Sequence, residues 1–263
     1  PTFEWATRNL AIAKHEKIMA SEDVLIMKWS SESEEAKNLF NQGMWQLYNL
    51  EWEEADKSFS SAIEIDDSFA LAYAMKARVS YFQQDEESMK EELDIAVSMS
   101  ISSSNEEKKM IMSLSNDLKD GTNTFNRVIE RLVRKYPDSS FLRFETVFAT
   151  INDIGPDAIL RRAMGLYEMN PNFTPALNIM GYAYLQKSEL DNAKNSFQEQ
   201  VRRQPAKANP YDSLGDYYLE VKDNEMALKY FKQSAGMGLI NSQSKVDSLT
   251  SLIAEKEAEE LQQ

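Results

Sequence analysis

Three prolines, Pro137, Pro171 and Pro205, stand 34 residues apart. Gly181 and Gly215, Tyr184 and Tyr218, Ala193 and Ala227, and Phe197 and Phe231 repeat the same interval of 34. Several residue types in one register make a repeat unit, and this period is that of stacked helix–turn–helix pairs, which bury their apolar faces only against neighbours. Aligning the small position gives 43, 77, 113, 147, 181 and 215, every step being 34 except the 36 between 77 and 113. Six units follow, at 36–69, 70–103, 106–139, 140–173, 174–207 and 208–241. The two additional residues are expected in the Ser-rich stretch from Val97 to Asn105.

The residues at these positions have physical reasons to be there. Gly43, Ala77, Gly181 and Gly215 let the helices of a pair approach closely, with Ala55, Ala193 and Ala227 doing the same from the second helix. Phe59, Phe197 and Phe231 then fill the space to the next pair. Proline ends the second helix because it lacks an N–H and clashes with the preceding turn. Thr174-Pro175 and Asn209-Pro210 read as N-cap and first-turn proline, and Ser31 followed by Glu34 as a capping box.

Leu177, Met180, Gly181, Tyr184, Ala193, Phe197 and Pro205 fill the tetratricopeptide pattern, as do Tyr211, Leu214, Gly215, Tyr218, Ala227 and Phe231. Gly43, Ala55, Phe59 and Ala62 fit the same frame, while the third unit is weak, with Ser113 and Leu132. Over residues 31–241 the chain resembles tetratricopeptide repeat (TPR) proteins, in particular bacterial ones of unassigned function. The expected fold is all-α, a right-handed α-solenoid of about six TPR-like helix pairs. Residues 1–30 form an N-terminal extension, with an amphipathic helix (Phe3, Ala6, Leu10, Ala13) and an apolar run from Val24 to Trp29. Residues 242–263 read as a capping helix with Val246, Leu249, Leu252, Ile253 and Leu261 on one face.

Chemistry is sparsely provided for. Cysteine is absent and His15 is the single histidine, which removes thiolate nucleophiles, disulfides and multi-histidine metal sites. No P-loop, dinucleotide fingerprint or nucleophile elbow is present, so no catalytic residue, cofactor or metal site is expected. The net charge of −14 disfavours nucleic acid and anionic membrane surfaces as partners. No apolar stretch approaches the ~20 residues of a bilayer span. Pro1 at the start fits removal of an initiator Met or of a targeting segment, which leaves a cytoplasmic and a periplasmic location both open.

The resemblance implies a concave face lined by positions 2, 5, 6, 9, 12 and 13 of each unit. Those positions supply Phe40, Met44 and Tyr48 in the first unit, and Met75, Arg78, Tyr81 and Phe82 in the second. They supply Asn178 and Tyr182 in the fifth, and Asp212 and Asp216 in the sixth. The groove is therefore expected to be aromatic and Met-rich at its N-terminal half and acidic at its C-terminal end, suited to a peptide or helix with a basic segment. The family's carboxylate clamp for acidic chaperone tails is absent, with Phe40, Met44 and Met75 at its positions. The implied function is a non-catalytic scaffold or adaptor. A regulatory or sensor module of a larger signalling or cell-envelope protein is the alternative, as are self-occlusion of the groove by residues 1–30 and homo-oligomerisation.

Overall fold

In this computed structural model the described residues are 29–151 and 154–260, and the helix and extended run expected over residues 1–28 lie outside them. Thirteen α-helices and no strand occur among the described residues. They fall into two compact units that divide between residues 153 and 154.

The N-terminal unit holds α1 (Glu34–Tyr48), α2 (Trp52–Ile65), α3 (Ala70–Phe82), α4 (Glu86–Met99), α5 (Asn105–Asp120), α6 (Phe125–Lys135) and α7 (Ser140–Thr150). The C-terminal unit holds α8 (Pro156–Met169), α9 (Pro175–Gln186), α10 (Leu190–Arg203), α11 (Asn209–Glu220), α12 (Asn224–Ala235) and α13 (Ile240–Glu260). The boundary falls inside the fourth repeat: α7 packs on α6, and α8 packs on α9. The additional residues of the long step form a short 3₁₀ turn, Ser100–Ser102, within the expected stretch.

The small positions act as the period implies. A Cβ on Gly43 would lie 2.6 Å from the Phe59 ring, on Gly181 2.3 Å from Phe197, and on Gly215 2.5 Å from Phe231. Each of these phenylalanines is fully buried, so the ring of the second helix rests directly on the backbone of the first. Ala77 makes the equivalent contact region with Met89 and Leu93.

The turn inside a pair has its own repeat. Leu50, Gln84, Ser188 and Lys222 adopt left-handed backbone, with φ between 58° and 63°. In each case the following N–H reaches back five residues into the helix: Glu51 to Gln46, Asp85 to Ser80, Glu189 to Tyr184 and Asp223 to Tyr218, all at 2.9 Å. These are Schellman closures, which satisfy helix carbonyls and set up the next helix start. The residue after the left-handed one is acidic every time and stands at the start of the second helix, where the dipole favours acids. Asp85 and Asp223 accept there from the Ser88 and Met226 N–H, while Glu51 and Glu189 make no side-chain cap bond.

The capping expectations need correction. Ser33, not Ser31, caps α1 by accepting from the Ala36 N–H, while the Ser31 hydroxyl donates to Asp66 at 2.5 Å. Thr174 takes helical backbone, its hydroxyl is buried and it makes no cap bond; α11 starts from Ala208, likewise without one. In both, the proline at the first turn already removes a free N–H, so little is left for a cap to satisfy.

Candidate functional site

The face expected to be an open groove in the N-terminal unit is filled. Phe40, Met44 and Met75 are at most 1% exposed, so in this conformation they form core and offer a partner no surface. The filling comes from α7, whose phenylalanines lie against α1: Tyr48 meets Phe144 at 4.4 Å and Phe141 at 6.0 Å between ring centres. Trp29 closes the same region, edge-on to Phe40 at 5.1 Å and to Phe141 at 6.0 Å, with its indole N–H donating to Asn41 at 2.8 Å. Ser30 donates from backbone and hydroxyl to the buried Glu107 of α5.

An ion pair lies in this filling. Arg78 on α3 donates two hydrogen bonds to Glu145 on α7, at 2.6 and 3.1 Å, and the Tyr48 hydroxyl donates to the same carboxylate at 2.9 Å. Both charges are buried, and the guanidinium lies 5.7–5.8 Å from the rings of Phe82, Phe125 and Phe148. Burial alone would lower the Arg78 pKa, but the Glu145 charge and hydrogen bonds outweigh it and raise it. Burial, then the Glu145 charge, pushes the Tyr48 phenol well above its ordinary value. Two-point recognition of this kind is geometrically selective, and breaking one side leaves a buried charge unpaired.

Of the second unit's expected residues, Tyr81 is exposed and Phe82 half-buried, both outside the filling.

The C-terminal unit arranges the corresponding positions differently. Asn178 on α9 donates to the Ser213 hydroxyl on α11 at 2.7 Å, and the Tyr182 hydroxyl donates to Asp216 at 2.7 Å. Lys245 on α13 reaches Asp212 at 2.8 Å and Asp216 at 2.7 Å, and the Ser242 hydroxyl donates to Asp212 at 2.6 Å. The lysine ammonium also sits 4.9 Å from the centre of the Phe231 ring. Asn178, Tyr182, Asp216 and Lys245 are half-exposed, while Asp212 is buried. Gln186, Leu219 and Glu220 are exposed at the far ends of the same helices.

Burial raises the Asp216 pKa although Lys245 pulls against it, and burial together with Asp216 pushes the Tyr182 phenol well above its ordinary value. For Lys245, burial works against the charge, and the two aspartates more than compensate, so its pKa is raised. The acidic end is thus supplied with a cation from within the chain.

The structure therefore brings Asn178, Tyr182, Asp212 and Asp216 into one network, and joins Tyr48 to Arg78 only through Glu145. Phe141, Phe144 and Glu145 occupy positions 2, 5 and 6 of the fourth unit, so extending the expected groove positions to that unit finds them. Lys245 had no such signal, because it lies in a terminal helix read only for its apolar face. Among the described residues, no three His, Cys, Asp or Glu side chains converge to hold a metal ion, and no helix is long and apolar enough to cross a membrane.

The tetratricopeptide repeat family model matches residues 174–207, the fifth unit of the sequence period. A search of curated proteins by sequence found no match. Among solved structures, the chain is similar to a tetratricopeptide repeat protein from Parabacteroides merdae ATCC 43184, at TM-score 0.54 and 14% identity, covering 95% of this chain and 94% of that one. It is similar to a chain of the APC/C hetero-tetramer Cut9-Hcn1 at TM-score 0.52 and 14% identity over 91% of this chain. It is similar to yeast Tom70 at TM-score 0.53 and 12% identity over 85% of this chain. It spans about half of those last two chains, 48% and 49%. At these identities the likeness is one of fold.

Proposed function

We propose that this tetratricopeptide-repeat protein is a non-catalytic adaptor that holds a partner peptide or helix on the first-helix face of its C-terminal unit. The supporting observation is the half-exposed polar ladder of Asn178 and Tyr182 on α9, Asp216 on α11 and Lys245 on the terminal helix α13. Hydrogen-bonding groups already fixed by their neighbours lose little freedom on binding, which favours recognition of a partner backbone. The exposed Leu219 and Gln186 at the helix ends add an apolar and a polar contact. In this reading α13 closes the end of the C-terminal unit.

The test is site-specific photo-crosslinking in native lysate. A benzophenone side chain at Gln186 or Leu219 is expected to capture the same protein, and one at Gln233, on the second helix α12, is expected to capture none of it. Equal capture from all three positions, or none from Gln186 and Leu219, overturns the reading.

A further inference from the structure

One edge of the N-terminal unit carries an aromatic ridge that the filling of the groove does not consume. Trp52 stacks on Phe82 at 5.3 Å, Tyr81 meets Phe82 at 5.7 Å, and Phe148 meets Phe82 at 6.4 Å and Phe144 at 6.2 Å. Tyr81 is 49% exposed, and Phe148 and Leu50 are each 41% exposed. Beneath the ridge, Arg78 lies against Phe82 and Phe148 while paired to Glu145, so the rings are held from below by a buried cation already spoken for. A contiguous exposed aromatic patch is a recognised mark of an interaction surface.

The surroundings of the ridge select the partner's charge. The two turn segments flanking it, 49–54 and 83–87, contain Glu51, Glu53, Glu54, Asp85, Glu86 and Glu87 and no Lys or Arg, and of these Glu86 is ion-paired with Lys90 one turn further on. Glu53, Glu54, Glu86 and Glu87 stand in the first turns of α2 and α4, where the helix dipole favours acids. The dipole accounts for those acids but not for the exposed rings between them. We propose that this ridge docks a segment of another protein that alternates cationic and apolar side chains. The rings take the apolar side chains and the faces of guanidinium groups, and the carboxylates take the charges. A second copy of this chain is a poor occupant, because it brings the same acidic rim and a net charge of −14. This surface is separate from the C-terminal ladder, and the proposal does not rest on the function proposed for it.

The experiment is calorimetric titration of the whole chain with a blocked peptide of alternating Arg and Leu, beside a Glu–Leu counterpart, at low and physiological salt. The wild type is expected to bind the Arg–Leu peptide in a salt-dependent manner and to ignore the Glu–Leu peptide. Tyr81→Ser is expected to weaken binding about tenfold, as for loss of an aromatic anchor. Glu53→Lys/Glu54→Lys/Glu87→Lys is expected to abolish it. The control is the charge reversal Glu64→Lys/Asp67→Lys/Asp138→Lys, at the ends of α2, α3 and α7 opposite those that carry the ridge, expected to leave affinity within about twofold because those charges lie outside the rim. All these positions are exposed, and circular dichroism is the check that each variant keeps its helices. The proposal is overturned if the wild type fails to bind the Arg–Leu peptide, if Tyr81→Ser binds as well as wild type, or if the distal reversal weakens binding as much as the rim reversal.

Discussion

The two units use one repeat frame to opposite ends. In the N-terminal unit, groove positions of the first and second repeats meet groove positions of the fourth, and a buried ion pair joins helices 67 residues apart in sequence. In the C-terminal unit the same positions meet only their immediate neighbours, and the cation that satisfies the aspartates sits half-exposed on the last helix. The period specifies how the helices of a pair pack. What the inner positions present depends on which charge a distant helix brings to them.

That contrast is open to attack at its strongest point first. Glu145→Ala removes the carboxylate that Arg78 and Tyr48 share and leaves the Arg78 charge buried without it, and is expected to cost the N-terminal unit about 3–5 kcal/mol. Hydrogen exchange resolved by helix should show the loss in α1, α3 and α7, with α9 to α13 unchanged. Replacing both partners, Arg78→Leu/Glu145→Leu, is expected to recover much of the stability, because the desolvation of two charges goes with them. A double variant no better than Glu145→Ala would mean the pair is not the source of the effect.

The packing shared by both units provides the next test. Gly43→Ala and Gly181→Ala each place a methyl group inside the ring of Phe59 or Phe197, and each is expected to cost about 1–3 kcal/mol. Denaturant titration of both variants should give similar losses in the two units. A loss confined to one unit would break the claim that the frame is common.

Lys245 tests the polar ladder. Its folded pKa is raised above the unfolded value, so its contribution is fully present below the ordinary lysine pKa and is lost as pH rises through the folded one. Lys245→Met is expected to lower stability at neutral pH by about 1 kcal/mol, a partly exposed pair being worth little more. It should also flatten the decline of stability in the alkaline range. Asp216 carries the opposite sign: its raised pKa means the folded state holds the proton more tightly, so its charge opposes folding at neutral pH.

The smallest effect is expected at the turns. Lys222→Gly relieves a left-handed backbone on an exposed residue and should stabilise the C-terminal unit by up to about 1 kcal/mol, read as a rise in Tm. Gln84→Gly should do the same in the N-terminal unit.

How much of this was legible in the chain depends on range. Gly181 and Phe197 are 16 residues apart within one unit, and contacts of that kind repeat, so the helix pairs and the 36-residue step could be read directly. The Schellman turns could not, because Leu50, Gln84, Ser188 and Lys222 share a conformation and no residue type. Their acidic successors were the only trace. The filled groove was beyond the period altogether: Arg78 and Glu145 sit in different repeats, and a repeat pattern records what recurs rather than what meets once. The expected groove residues Phe40, Met44 and Met75 were placed correctly on the first helices and wrongly at the surface, since burial by α7 is a property of the assembled unit. The aspartates were placed correctly as well, without the lysine that faces them.

Thiol labelling tests the closure of the N-terminal groove most directly, because the chain has no cysteine of its own. Met44 lies one helical turn before Tyr48 on the same face of α1, and Gln186 is exposed in the C-terminal unit. The account predicts that Met44→Cys reacts with a maleimide orders of magnitude more slowly than Gln186→Cys, and that adding Glu145→Ala removes most of that protection. Labelling of Met44→Cys at the rate of Gln186→Cys, with Glu145 intact, would contradict it.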